Sequence, residues 1–160
     1  MNYLANKTFD KIKIGDTAKL THVLNKRDIQ LFAIMSGDVN PAHVNPEYAK
    51  HDIFHAIVGH GMWTGALIST VIGTKLPGPG TIYLSQSLKF TRPVTIGDKI
   101  TVKVMVIKKY VRKPILILNC ICHNQKKKIV VTGIAKVLAP TEKVRLKRTK
   151  LPKAILRNTK

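Results

Sequence analysis

A chain of 160 residues with 44% apolar content is sized for one domain that buries a real core. Its 28 Lys and Arg against 8 Asp and Glu give a formal charge of +20. That sign points to a polyanionic partner, a nucleic acid or a phosphorylated cofactor, without choosing between them.

The basic residues are thickest in 108–113, 126–128 and 143–160, while Ser36–Pro93 is nearly neutral. Aromatics make up only 6% and do not interleave with the basic runs as stacking platforms would, so nucleic acid is set aside as a partner. No stretch reads as a membrane span: the run around Ala66–Ile72 is short and is broken by Ser69 and Thr70. Met1–Asp10 lacks the continuous apolar stretch of a signal peptide. Cys120 and Cys122 sit two apart in a β-like run and are expected to face opposite sides of a strand, with no mutual disulfide. A reducing cytoplasm is the location that this usage predicts.

In chain order, Asp16–Leu24 alternates polar and apolar residues and predicts a strand. Asn25 caps a helix over Lys26–Met35, which Gly37 stops. Asn45-Pro46 starts a short helical turn over Glu47–His51. Gly61 opens a helix over Met62–Thr74 that is apolar nearly all round, which predicts burial on most sides. Leu76-Pro-Gly-Pro-Gly80 forces a turn. Four segments rich in Ile, Val and Thr follow: Thr81–Phe90, Asp98–Tyr110, Ile115–His123 and Ile129–Leu138. The fold class is therefore α+β, one long buried helix wrapped by a five-stranded antiparallel sheet, the hot-dog arrangement. Pro140 is expected to end the domain (1–140), leaving 141–160 as a basic tail or linker.

Chemistry concentrates in Ser36-Gly-Asp38-Val-Asn-Pro-Ala-His43. It carries one carboxylate and one imidazole five residues apart, in a stretch that cannot be helical throughout. Such a pair suits water activation, one group taking a proton from water and the other returning one to the substrate. The same turn could equally serve only to bond its own backbone. His60-Gly61-Met62 begins the apolar helix, where free N–H groups and a residue without a side chain suit an oxyanion. Packing of the helix start is the plainer reading of that glycine. His43, His51, His55 and His60 cluster in sequence, but the cysteines are distant and no H-E-x-x-H occurs, so no metal is expected. Neither Cys120 nor Ser69 sits on a nucleophile elbow, and no phosphate-binding or dinucleotide fingerprint is present.

Together these segments resemble the MaoC-like (R)-specific enoyl-CoA hydratases. The likeness rests on Phe32-Ala-x-x-Ser-Gly-Asp38-x-Asn-Pro-x-His43, on His60-Gly61-Met62 with Ser69 following, on Leu76-Pro-Gly-x-Gly80, and on Phe90-x-x-Pro93-Val-x-x-Gly97-Asp98. It covers Phe9–Leu138. The resemblance implies hydration of trans-2-enoyl-CoA to (R)-3-hydroxyacyl-CoA by a homodimer or higher oligomer, without metal or redox cofactor. It also implies that Asp38 and His43 hold the catalytic water, that the Gly61 N–H polarises the thioester carbonyl, and that Ser69 orients Asp38. Asn45 stands where an Asp is common and Gly59 where an Ala is common. Ala139-Pro-Thr-Glu-Lys-Val-Arg145 resembles the start of the linker in bifunctional enoyl-CoA hydratase/phosphate acetyltransferases.

On the apolar helix, Ile68, Val71 and Ile72 are expected to floor the acyl pocket or simply to be core. Sibling activities remain open on this fold: acyl-CoA thioesterase, acyl-carrier-protein dehydratase, or a silent acyl-thioester-binding domain.

Overall fold

The computed structural model describes residues 3–157. The elements run β1 (Tyr3–Ala5), a 3-10 turn (Phe9–Lys11), β2 (Thr17–Val23), α1 (Lys26–Ser36), α2 (Pro41–Val44), α3 (Pro46–His51) and α4 (Gly61–Thr74). β3 (Ile82–Phe90), β4 (Lys99–Lys109), β5 (Ile115–His123), β6 (Ile129–Leu138) and β7 (Arg145–Lys147) complete the chain.

Five strands form one antiparallel sheet in the order β2-β4-β5-β6-β3. Period-two patterning explains why it holds. Ile100, Val102, Val104 and Val106 of β4, and Leu116, Leu118, Cys120 and Cys122 of β5, are all 0% exposed. Their inner face receives Ile68, Val71 and Ile72 from α4, in one core with Trp63 and Ile29. Each such aliphatic side chain contributes about 1.5–3 kcal/mol on burial. This is the expected hot-dog arrangement, with β3 on the sheet edge after crossing over to pair with β6.

Three expectations need correction. Cys120 and Cys122 face the same side, the core, because residues two apart in a strand share a face. They are free thiols, and burial pushes them up to about 11 and about 12. Second, α4 is buried on one side only. Trp63, Thr64, Ile68, Val71 and Ile72 pack inward, while Met62 (57% exposed), Ala66 and Ser69 face outward. A single sheet covers only one face of a helix, so an apolar outer face in one chain is left open. Third, the chain does not leave the domain at Pro140. β7 pairs with β1, and the Asn6 side chain donates to Glu142 O and accepts from Val144 N–H, at 2.8 and 2.9 Å. No helix among the described residues is long and apolar enough to cross a membrane.

Candidate active site

The turn over 36–43 is built by local rules that fix it from both ends. Gly37 closes α1 with φ at 75°, a left-handed conformation that glycine takes without strain. The Asn40 side chain then accepts from Ala42 N–H and caps α2, with Pro41 at its first position. α2 is one turn that the sequence did not announce, and it carries His43. Asn45 repeats the device for α3, accepting from Glu47 and Tyr48 N–H.

His43 is anchored across the chain. Its Nδ1 lies 2.7 Å from Val58 O, and a carbonyl only accepts, so the proton sits on Nδ1. In the neutral ring it is then Nε2 that carries the lone pair, the atom that a general base would use. Asp38 is exposed, and its Oδ1 accepts from Asn40 N–H at 3.1 Å. One donor atom from each of Asp38, His43 and His60 falls within 4.8 Å of the others. The two imidazoles are stacked, centroids 4.0 Å apart with planes tilted by 34°. Nitrogen lone pairs lie in the ring planes, so stacked rings do not aim two of them at one ion about 2 Å away. The cluster suits proton exchange better than chelation.

His43, His60 and Gly61 line one cleft of about 350 Å³, with Phe54, Phe90 and Arg92 on its walls. Gly61 opens α4 and lines the cleft, and His60 makes no side-chain cap, so no cap side chain occupies the positive end of the helix there. A Cβ at Gly61 would come within 3.0 Å of the Phe90 ring, so the glycine lets that wall close over the helix start. A second, smaller cleft meets the first at His43 and is lined by Ile29, Pro46, Ile57 and Ile96, with Lys26 at its side.

Asp38 thus stands beside His43 and His60, and His43 and Gly61 share one cleft. Ser69 stands apart: among the described residues no hydrogen bond joins it to Asp38, and it lies eight positions along α4 from the helix start, in a separate groove with Phe32, Met62 and Leu88. Ile68, Val71 and Ile72 are 0, 0 and 1% exposed and belong to the core beneath that groove, lining none of these clefts. Arg92 and the stacking of His60 were missed. Arg92 sits at an unassigned position of the Phe90-x-x-Pro93 segment, and nothing in sequence says which way it points. His60 was visible within His60-Gly61-Met62 but was given no role of its own. Gly59 has a local explanation: a Cβ there would lie 2.6 Å from Cδ2 of the fully buried Leu24.

The model for the MaoC like domain matches residues 7–116. The chain belongs to the MaoC-like family. Among family relatives, an (R)-specific enoyl-CoA hydratase of Rhodospirillum rubrum is 44% identical over 132 residues, 82% of this chain and 91% of that protein. The (R)-specific enoyl-CoA hydratase of Aeromonas caviae is 37% identical, over 81% of this chain and 96% of its own length. In structure, the unliganded R-hydratase PhaJ1 of Pseudomonas aeruginosa superposes with a TM-score of 0.92 at 42% identity, covering 96% of this chain and 99% of that one.

Proposed function

We propose that this protein hydrates trans-2-enoyl-CoA to (R)-3-hydroxyacyl-CoA. One observation carries the reading: an imidazole held in its Nδ1–H tautomer, beside a carboxylate, opens on the same cleft as an uncapped helix start. The relatives' activity, at 44% and 37% identity over most of both chains, supports the same choice. In this reaction the water oxygen bonds to C3 as the C2–C3 π electrons move onto the thioester oxygen. The Gly61 N–H donates to that developing oxyanion. His43 Nε2 takes the proton that water loses, and the Asp38/His43 pair returns one proton to C2 as the enolate collapses. Water is consumed whole and no redox step occurs.

The acyl chain runs along the groove of Phe32, Met62, Ser69 and Leu88. Ile72 lies in the core beneath that groove, so Ile72→Ala is expected to lower the melting temperature and leave the acyl-chain preference unchanged. Ser69 serves this reading as a groove-lining hydroxyl, and the groove becomes an enclosed tunnel only when the outer face of α4 is covered. A second copy of this chain is the cover that fits. β3 is an edge strand with Ile82, Leu84 and Phe90 about half exposed, flanked by Met62, and an open apolar edge of that kind normally finds a partner. The expected mass in solution is that of a homodimer, read by light scattering after gel filtration. Two free, buried thiols fit the cytoplasm.

Crotonyl-CoA is the test substrate. Loss of the conjugated-thioester absorbance, with a product oxidised by an (R)-3-hydroxyacyl dehydrogenase, is the expected result. Release of free coenzyme A without hydration would replace this reading with thioesterase activity, and an (S) product would overturn the assigned geometry.

A further inference from the structure

His60 belongs to neither partner of the proton exchange, yet it touches both. It is the N-cap residue of α4, a place where Ser, Thr, Asp or Asn usually bonds the first-turn N–H groups, and its side chain makes no such bond. The ring turns back on the catalytic loop instead. Its Nε2 lies 3.0 Å from the carbonyl oxygen of Asp38 and 4.0 Å from Oδ2 of the same residue. A carbonyl can only accept, so the proton is on Nε2, the tautomer opposite to that of His43. One face stacks on His43 at 4.0 Å, and Phe32 packs against the ring at 4.8 Å. The residue is 3% exposed, and Nδ1 has no partner among the described residues. A buried nitrogen left unpaired is costly, a cost that a plain packing residue at this position would not incur.

The other bonds on Asp38 are local. Its N–H donates to Ser36 Oγ at 3.2 Å, and its Oδ1 accepts from Asn40 N–H at 3.1 Å. Both partners ride on the same loop and move with it. Only the His60 bond, among those of the described residues, ties Asp38 to the element that presents Gly61.

We propose that His60 is the positioning residue that locks the Asp38 turn in register with His43 and with the start of α4, a role that rests on the hydratase reading. Its donated hydrogen bond sets where the carboxylate stands relative to the water, while its ring only packs against His43. The residue itself exchanges no proton in the reaction. Misplacing a reacting group by about 1 Å costs on the order of 10²-fold in rate, which sets the size of the effect.

Two variants separate donor from ring. His60→Phe keeps a ring against His43 and Phe32 but leaves the Asp38 carbonyl without its donor. His60→Gln places an amide N–H near the position of Nε2 and gives up the ring. With crotonyl-CoA, His60→Phe is expected to lower kcat by about 10- to 100-fold with KM within about threefold, because the substrate's own contacts remain. His60→Gln is expected to recover kcat to within about fivefold of wild type, since it restores the donor. Wild-type kcat in His60→Phe, or equal loss in both variants, would overturn the proposal. A readout without turnover covers the case in which His60→Phe does not fold. Nitrogen-15 spectra of the histidine-labelled wild-type protein should show His60 protonated at Nε2 and His43 at Nδ1. A His60 protonated at Nδ1 and not at Nε2 would overturn the bond to Asp38. A wild-type chain with the opposite tautomers that does not hydrate crotonyl-CoA would instead sink the hydratase reading itself.

Discussion

At the scale of single residues, the site is two side chains held in place by backbone groups of their neighbours. Val58 O fixes the His43 tautomer, and the Asn40 N–H holds the Asp38 carboxylate. His43→Ala removes the base, and Asp38→Asn keeps the shape of the carboxylate while removing its charge. Each is expected to cut kcat for crotonyl-CoA by about 10²–10⁴ while leaving the melting temperature nearly unchanged, the usual size for a lost acid–base group. Both side chains are surface-facing or half-buried, so neither removal opens a cavity. Turnover near the wild-type value in either variant would end the water-activation scheme. Asp38 and His43 were legible in sequence because a turn rich in Gly, Asn and Pro seldom carries an acid and an imidazole at once. The partners that set their chemistry were not. A carbonyl 15 residues from His43 and an imidazole 22 residues from Asp38 are tertiary neighbours, and no local spacing encodes them.

At the scale of elements, caps and alternation carried the reading almost residue for residue. Asn25, Gly37 and Asn45 each bound a helix where expected, and the four later strands fall within one residue or so of the segments read from Ile, Val and Thr. Short elements escaped, because α2 and the β1/β7 ribbon have too few residues to show a period. One glycine marks where strand pairing is tightest. Gly133 of β6 faces Leu88 of β3, and a Cβ there would lie 2.0 Å from Ser87 O. Backbone cannot yield as a side-chain tip can, so Gly133→Ala must push the edge strand away. We expect a loss of about 3 kcal/mol, or roughly 6–12 °C of melting temperature, with activity falling as Phe90 and Arg92 are displaced from the cleft. A variant as stable as wild type would show that β3 pairs more loosely than its register implies. The entry to β2 gives an acid-side test. Lys13 N–H, at 2.8 Å, and then Lys7 Nζ, at 2.6 Å, hold the Asp16 carboxyl below its ordinary value. A depressed carboxylate contributes stability above its unfolded pKa and loses it as pH falls through its folded value. Asp16→Asn should therefore cost about 1 kcal/mol at pH 7 and almost nothing near pH 2, a modest figure because the pair is partly solvated. An equal cost at both pH values would assign the effect to packing.

At the scale of the whole molecule, the open question is what +20 does. Coenzyme A is a polyanion, Arg92 stands on the wall of the main cleft, and Lys26 stands on that of the cleft behind His43. Exposed charges lose most of their interaction beyond about 10 Å at 0.1 M ionic strength, so charge that recruits substrate is screened while chemistry in the cleft is not. KM for crotonyl-CoA should rise with salt and kcat should barely move. Truncation then separates core charge from tail charge, and the structure dictates where to cut. Ending the chain at Pro140 would remove β7 and unpair Asn6 from Glu142 and Val144, so a lower melting temperature there would reflect the lost ribbon. Ending it after Lys147 leaves the ribbon whole and deletes Arg148, Lys150, Lys153, Arg157 and Lys160. Among the described residues of that segment, one side-chain hydrogen bond reaches back to the domain, from the Arg27 guanidinium to Ala154 O. The shorter deletion should leave kcat, KM and the salt dependence of KM within about twofold of wild type, because charges on a solvated segment are screened before they reach the cleft. A tenfold rise in KM, together with loss of its salt dependence, would place the nucleotide end of coenzyme A on the tail instead. Salt-independent kinetics with salt-dependent RNA binding would take the charge away from the substrate altogether.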